Sequence, residues 1–294
     1  MLEKNENILY FDAHFHLADC VYDDIPLSLL GEIYACTCSH SKEEWEITER
    51  FNALRHRERH CEAGQRQSGG LSLVSLRAAM LRRAQGPQVY LSYGLHPQSA
   101  GHINVKENVA FLEQLLQQNK LNAIGEAGFD YFNEEFKNNA ATQEEMFNIQ
   151  LDLALQYNLP LIVHCRKANE KLFEYSKQLK KLPSVLFHSF MGMPNEARSL
   201  LDRGINAYFS FGKQVLNNNK KVIACVRELP EQVLLTETDA PWQFLKGETH
   251  TAPEDIKKIF EAFCQIRQTA PEQLAQTLKN NFYNLFSQNS NTKS

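Results

Sequence analysis

The alternation of short apolar runs with longer amphipathic segments constrains the fold of this chain more than any other feature. Eight runs rich in β-branched and aromatic residues have the length and composition of β-strands. They cover residues 8–12, 32–39, 88–94, 122–126, 160–165, 184–189, 206–211 and 232–237. Several are apolar throughout, which is typical of parallel strands buried on both faces.

Helix signals fill most of the intervals between these runs. Val109, Leu112 and Leu116 recur on one helical face. Ser41 and Glu44 predict a capping box at the start of another helix. Eight strands, most of them followed by a helix, predict an α/β fold: a single (β/α)8 TIM barrel spanning residues 1–294. A doubly wound open sheet is the alternative, but no Gly-rich phosphate loop follows the first run.

One connection has an unusual composition. Residues 50–83 contain eight arginines and no lysine, whereas the rest of the chain contains five arginines and eighteen lysines. We interpret the segment at about 50–86 as an elaborated connection between the second and third strands. A solvated helical surface with a loop is favoured over a basic flap above the active-site face.

Composition limits the class of protein. The net charge is −4, so we do not expect a surface built throughout to hold nucleic acid, although metal ions could supply positive charge locally. Residues 1–8 are polar, without the apolar core of a secretory signal, and no run approaches the ~20 apolar residues of a membrane span. Seven cysteines without a Cys-x-x-Cys pair predict reduced thiols and a cytoplasmic location.

Metal-ligating residues recur at the predicted strand ends, where TIM barrels carry their chemistry. His14 and His16 have the spacing of two that directs strand side chains to one side. The other strand-end candidates are His96, Glu126, His164, His188 and Asp239. A single histidine is more often a satisfied polar residue than a ligand, and the interpretation depends on the joint placement. The remaining histidines, 40, 56, 60, 102 and 250, are expected to lie outside the site.

Such a mixture of nitrogen and oxygen donors suits Zn²⁺, Mn²⁺ or Mg²⁺. Two divalent ions about 3.5–4 Å apart could activate a water and stabilise the leaving oxygen in phosphoryl chemistry. A carboxylate between the ions would offset their repulsion, and Glu126 is the candidate.

The order of these motifs resembles the TatD family of metal-dependent deoxyribonucleases. The motifs are DAHFH (12–16), GLHP (94–97), IGEAGFD (124–130), VHCR (163–166), FHSFMG (187–192) and TETDAPW (236–242). The run LKNNFYNLF (278–286) is similar to the closing helix of that family, and the resemblance extends from Phe11 to Phe286. It implies an amidohydrolase-type TIM barrel that cleaves phosphodiester bonds in DNA, trimming ends. Separately, we expect no association with a membrane and no obligate protein partner.

The resemblance also implies roles for individual residues. His14, His16, Glu126 and Asp239 would surround one metal ion. The second would be held by His164, His188 and the shared Glu126, and His96 would contact the substrate phosphate. Glu126 and Asp239 are the catalytic residues, with Asp239 as the general base.

Two further residues have open alternatives. Arg166 could bind a substrate phosphate through its forked donors or pair with a structural carboxylate. Trp242 could stack on a base or serve only in packing.

The chain departs from the family pattern at two places. Gln98 stands where a second histidine is common, and residues 243–253 lack an Arg-Asn pair that relatives often carry. The substrate is therefore left open between DNA and another ester or amide, such as that of misacylated tRNA. A third hypothesis, beside hydrolysis of DNA and hydrolysis of another ester or amide, is a barrel that binds a ligand without catalysing a reaction.

Overall fold

Eight parallel strands form the centre of the molecule in the computed structural model, which describes residues 8–60 and 88–286. The strands are β1 (Tyr10–Phe15), β2 (Ile33–Ser39), β3 (Val89–Tyr93), β4 (Ala123–Asp130), β5 (Leu161–Arg166), β6 (Val185–Phe187), β7 (Ala207–Phe211) and β8 (Leu234–Thr236). Each strand pairs in parallel with the next one along the chain. This consecutive order confirms the TIM barrel, and the doubly wound alternative is wrong.

Helices connect the strands and cover the outside of the ring. They are α1 (Leu17–Tyr22), α2 (Lys42–His60), α3 (Val105–Gln117), α4 (Glu134–Asn138), α5 (Ala140–Tyr157), α6 (Asn169–Glu174), α7 (Ser176–Leu179), α8 (Pro194–Asp202), α9 (Lys220–Glu228), α10 (Ile256–Arg267) and α11 (Pro271–Phe286). The capping box at α2 is present: the Glu44 N–H donates to Ser41 Oγ at 3.2 Å, and Ser41 Oγ donates to the Glu44 carboxylate at 3.1 Å.

Contacts just beyond the ends of β1 and β8 bring the two sides of the ring together. The Asp239 N–H donates to the carbonyl of His14 at 2.9 Å, and the His16 N–H donates to the carbonyl of Ala240 at 2.8 Å. Below them, the buried Asp12 carboxylate accepts from the N–H of Thr238 at 2.9 Å and from its hydroxyl at 2.6 Å. The first and last predicted site segments are therefore held side by side.

Strand β4 runs further than its sequence run. The pairing with β5 extends to Gly128 beside His164 and Asp130 beside Arg166. A Cβ on Gly128, whose φ is +151°, would lie 1.9 Å from the carbonyl oxygen of His164, so glycine is required for this close approach. The extension places Asp130 at the same end of the barrel as His164.

Most of the Arg-rich connection predicted at 50–86 lies outside the described residues, apart from the part that belongs to α2. Among the helices of residues 8–60 and 88–286, none has both the length and the hydropathy that a membrane crossing requires.

Candidate metal centre

The predicted site residues meet at the C-terminal ends of the strands, around a cavity of about 530 Å³. The lining includes His16, His96, Glu126, His164, His188 and Asp239. His14 lies fully buried beneath them. A cavity of this size, with convergent polar groups, is typical of a small-molecule or active site.

Four donor atoms lie close together on one side of the Glu126 carboxylate. The Nε2 atoms of His14 and His16 are 3.3 Å apart. Glu126 Oε1 lies 3.2 Å from His14 Nε2 and 3.5 Å from His16 Nε2. Asp239 Oδ1 lies 3.4 and 3.2 Å from the same two nitrogens. Donors at about 2.0–2.1 Å from a tetrahedral ion are about 3.3–3.4 Å apart, so these separations fit a divalent metal.

The other carboxylate oxygen of Glu126 faces a second group. His188 Nε2 lies 2.6 Å from Glu126 Oε2, and His164 Nδ1 lies 3.3 Å from the same oxygen. The two imidazole nitrogens are 3.1 Å apart. Glu126 thus presents one oxygen to each group, which is the arrangement required of a bridging carboxylate.

Asp130 supports the second group and was not predicted from the sequence. Its Oδ2 lies 3.2 Å from His164 Nε2 and accepts a hydrogen bond from Gln98 Nε2 at 2.7 Å. Because a carboxylate accepts, His164 donates from Nε2 and keeps the Nδ1 lone pair for the site. Carboxylates that orient ligating histidines in this way are usual around protein metal ions. Asp130 is the last residue of the IGEAGFD motif. The predicted strand ends at Glu126, so Asp130 is not counted among the strand-end candidates.

Burial and neighbouring charges act against each other at the carboxylates. Burial alone raises the pKa of Glu126, but His188 and His14 oppose it and bring the pKa well below the ordinary value. The pKa of Asp239 is likewise lowered, since hydrogen bonds to His14 and His16 outweigh burial. Both carboxylates are therefore ionised, as metal ligands must be.

The imidazoles of the second group differ from each other. Burial lowers the pKa of His188 to about 4 despite the attraction of Glu126. Burial also lowers the pKa of His164, but hydrogen bonds to Asp130 and Glu126 raise it to about 9. A proton and a metal ion would therefore compete for His164. His188 is neutral near neutral pH, so it has no proton to lose before it binds a metal ion.

The loop after β8 holds Asp239 in place. Asp239 has a φ of 54°, a left-handed conformation that aspartate tolerates better than most residues. Its Oδ2 accepts from Gln243 Nε2, which also donates to Ser189 Oγ at 2.6 Å. Oδ1 is left to face His14 and His16. Gln243 is a second contributor that the sequence interpretation did not identify.

The two predicted substrate contacts at the mouth are largely open to solvent. The guanidinium of Arg166 stacks on the exposed ring of Phe132 at 3.6 Å from the centroid. Within residues 8–60 and 88–286, no carboxylate forms an ion pair with Arg166. The alternative that Arg166 pairs with a structural carboxylate is therefore not supported. The Trp242 side chain is 49% exposed, and its Nε1 donates to Asp19 Oδ2 at 3.2 Å. Both side chains line the cavity.

His96 and His40 complete the surroundings of Glu126. His96 Nε2 lies 3.3 Å from His164 Nδ1 and 3.7 Å from Glu126 Oε2, beside the second group. The expectation that His40 lies outside the site is wrong, because its Nε2 is 3.4 Å from Glu126 Oε1. The turn between β2 and α2 directs His40 inward, although its sequence neighbours indicate only the start of a helix.

Comparison with known proteins gives a consistent picture. The family described as TatD related DNase matches residues 11–287. An uncharacterized metal-dependent hydrolase of Mycoplasma pneumoniae is 30% identical over 227 residues, which are 74% of this chain and 86% of that protein. A 3′-5′ ssDNA/RNA exonuclease TatD of Escherichia fergusonii is 31% identical over 211 residues, covering 68% of this chain and 78% of that one. The crystal structure of the TatD homologue YjjV of Escherichia coli K12 has the same fold, with a TM-score of 0.72 at 23% identity over 94% of this chain and 97% of its own.

Proposed function

The chain belongs to the TatD related DNase family, and on this premise we propose that it is a metal-dependent nuclease that hydrolyses phosphodiester bonds at the ends of DNA strands. The observation that carries the proposal is the pair of donor groups that share Glu126, one on each carboxylate oxygen. The Escherichia fergusonii relative, a 3′-5′ ssDNA/RNA exonuclease, supports a nucleic-acid substrate and an exonucleolytic reaction.

The donor chemistry supports a specific set of residues that would hold the ions. His14, His16, Glu126 and Asp239 would bind the first ion, and Glu126, His164 and His188 the second. Bound divalent ions would supply Lewis-acid chemistry, lowering the pKa of water and stabilising charge on phosphate oxygens. A shell of imidazoles and carboxylates is compatible with Zn²⁺, Mn²⁺ and Mg²⁺.

Asp239 is the residue that would accept the proton from the attacking water. Its lowered pKa keeps the carboxylate ionised. Gln243 donates to Oδ2, and Oδ1 lies 3.2 Å from His16 Nε2 within the first donor group. A general base must lie within hydrogen-bond reach of the proton that it removes, and a carboxylate oxygen at the ion meets this condition.

His96 and the mouth of the cavity would bind the substrate. The His96 Nδ1 accepts the N–H of Gln98 at 3.2 Å, so Nε2 carries the proton and is available to a phosphate oxygen. Arg166 would bind a phosphate, and Trp242 would stack on a base, as cationic and aromatic side chains do in single-strand binding.

A nuclease assay with chelated and reloaded protein tests the proposal. We expect Mn²⁺ or Mg²⁺ to restore stepwise shortening of end-labelled single-stranded DNA. Asp239→Ala should reduce the rate by at least about 100-fold, since it removes the general base and a ligand. Asp152→Ala, which changes an exposed aspartate on α5, is the matched control. Equal activity of the wild type and the Asp239→Ala variant would contradict the assignment of Asp239 as general base and metal ligand.

The absence of an Arg-Asn pair in residues 243–253 favours one competing function, hydrolysis of another ester or amide. A substrate panel of DNA, RNA, aminoacyl-tRNA and small esters separates the two. Faster metal-dependent turnover of aminoacyl-tRNA or a small ester than of DNA would replace the nuclease proposal. We further propose a cytoplasmic location and activity without an obligate protein partner.

A further inference from the structure

Two histidines outside the donor groups described above differ in what their Nδ1 atoms contact. His96 Nδ1 accepts the backbone N–H of Gln98. His40 Nδ1 lies 3.3 Å from the backbone carbonyl oxygen of Gly94. Each partner has only one possible role, because an N–H donates and a carbonyl accepts. The partners therefore determine the protonation of each Nδ1.

The consequence for Nε2 is opposite in the two rings. A neutral His96 carries its proton on Nε2 and acts there as a donor. His40 must donate from Nδ1, so in its neutral form Nε2 is a bare lone pair. That lone pair lies 3.4 Å from Glu126 Oε1, which is also an acceptor. Two buried acceptors at this distance repel each other unless a proton or a metal cation lies between them.

His40 is held in this position by the start of α2. Its backbone N–H donates to Glu44 Oε2 at 2.7 Å, and Glu44 is fixed by the capping box with Ser41. The His40 Nε2 atom is buried and makes no hydrogen bond with the described residues. A ring nitrogen of His40 lies within 4.8 Å of both a ring nitrogen of His16 and a carboxylate oxygen of Glu126.

We propose that His40 is an additional metal ligand, which joins His16 and Glu126 at the first ion and biases that position toward Zn²⁺ over Mg²⁺. The proposal rests on the metal centre proposed above and is independent of the substrate. A third imidazole beside His14 and His16 makes the donor set nitrogen-rich. Imidazole suits zinc, whereas Mg²⁺ prefers oxygen donors and keeps several waters.

The substitution His40→Asn tests this role. The asparagine amide occupies a position close to that of the imidazole Nδ1, so a donor to Gly94 O is retained while Nε2 is removed. His102→Asn, at an exposed histidine before α3, is the matched control. Titration calorimetry with Zn²⁺ and, separately, with Mg²⁺ on metal-free protein measures both affinities without any nuclease assay.

We expect His40→Asn to bind Zn²⁺ at least about ten-fold more weakly, with a much smaller change for Mg²⁺. His102→Asn should match the wild type for both ions. Equal Zn²⁺ affinity in wild type and His40→Asn overturns the proposal and makes His40 an imidazolium partner of Glu126. A wild type that binds neither ion overturns the metal centre itself, so the two failures are distinguishable.

Folding is checked separately from binding. The melting temperature of the His40→Asn variant in chelator should be close to that of the metal-free wild type. If it is much lower, His40→Gln, which places its amide near the Nε2 position, is titrated in the same way. Loss of zinc preference in whichever variant is folded supports the proposal, and an unchanged preference contradicts it.

Discussion

Asp130 illustrates how a single residue can determine the protonation of a candidate ligand without belonging to either donor group. It accepts from His164 Nε2 and is itself held by Gln98, so the Nδ1 lone pair of His164 is directed at Glu126 Oε2. Gln98 stands where the family commonly has histidine, yet its amide provides the donor that this arrangement requires. The departure at Gln98 therefore leaves the second donor group intact.

Asp130→Asn should weaken metal binding by about 10–100-fold, because an amide orients His164 less strongly than a carboxylate. Metal content after dialysis against graded chelator measures the effect. Asp152→Asn, on the exposed face of α5, should leave metal content unchanged. Full retention of metal by Asp130→Asn would show that the His164 orientation does not depend on this carboxylate.

At the residue scale, the sequence placed candidate ligands at one end of the barrel where each lies at or after a recognisable strand. His14, Glu126 and Asp239 belong to motifs at strand ends, and the structure brings their donor atoms together. His40 and Asp130 could not be assigned in this way, because their roles arise from contacts across the barrel. His40 depends on the carbonyl of Gly94 after β3, which no local pattern in its own segment reveals.

At the scale of elements, a buried lysine fixes the loop that follows β8. The Lys213 side chain, after β7, is 1% exposed and lies 2.6 Å from Glu248 Oε2 and 2.7 Å from Asp255 Oδ2. These carboxylates stand in and just beyond the loop that carries Gln243, the residue that binds the Asp239 carboxylate. The ion pairs therefore link the end of one strand to the loop that positions Asp239 after the next.

Lys213→Met should destabilise the protein by about 3 kcal/mol, because it leaves the buried Asp255 Oδ2 without its cation and also removes the partner of the half-buried Glu248. Lys258→Met is the matched control: Lys258 also contacts Asp255, at 2.8 Å, but its side chain is 65% exposed. An exposed pair contributes less than about 1 kcal/mol. Urea unfolding of metal-free protein measures both, and equal losses would contradict the role of burial.

The stability difference between wild type and Lys213→Met should depend on pH. Burial raises the pKa of Asp255, but hydrogen bonds from Lys213 and Lys258 outweigh it and the net pKa is lowered. A carboxyl group with a lowered folded-state pKa stabilises the protein above its unfolded pKa and loses this contribution as the pH falls through the folded value. The stability difference between wild type and Lys213→Met should therefore shrink below about pH 4.

The number and order of the strands could be predicted from the sequence, whereas their ends could not. Each of the eight runs overlaps one strand, because buried parallel strands leave a continuous apolar signal. The run at 122–126 extends to Asp130 in the structure, because Gly128 allows the chain to approach the carbonyl of His164. A glycine in a strand-like run normally indicates the end of the strand. The pairing of Gly128 with His164 is known only from the fold.

At the scale of the whole molecule, the candidate metal centre joins strands that are distant along the chain. Its donors come from or directly follow β1, β4, β5, β6 and β8, and His16 and Asp239 are 223 positions apart. Their donor atoms approach each other closely in the fold: His16 Nε2 lies 3.2 Å from Asp239 Oδ1, and His188 Nε2 lies 2.6 Å from Glu126 Oε2. An ion at the centre would therefore act as a cross-link of the barrel as well as a part of the active site.

Metal loading should accordingly raise the stability of the entire barrel. At a free Zn²⁺ concentration of about 100 times the Kd, preferential binding to the folded state adds about 2.7 kcal/mol. We expect the melting temperature to rise with Zn²⁺ and to fall again with chelator. Glu126→Gln should lose most of this rise, because the shared carboxylate is gone, whereas Glu113→Gln, on the exposed face of α3, should keep it. The same rise in Glu126→Gln would mean that the stabilising ion binds elsewhere, and the shared-carboxylate centre would have to be abandoned.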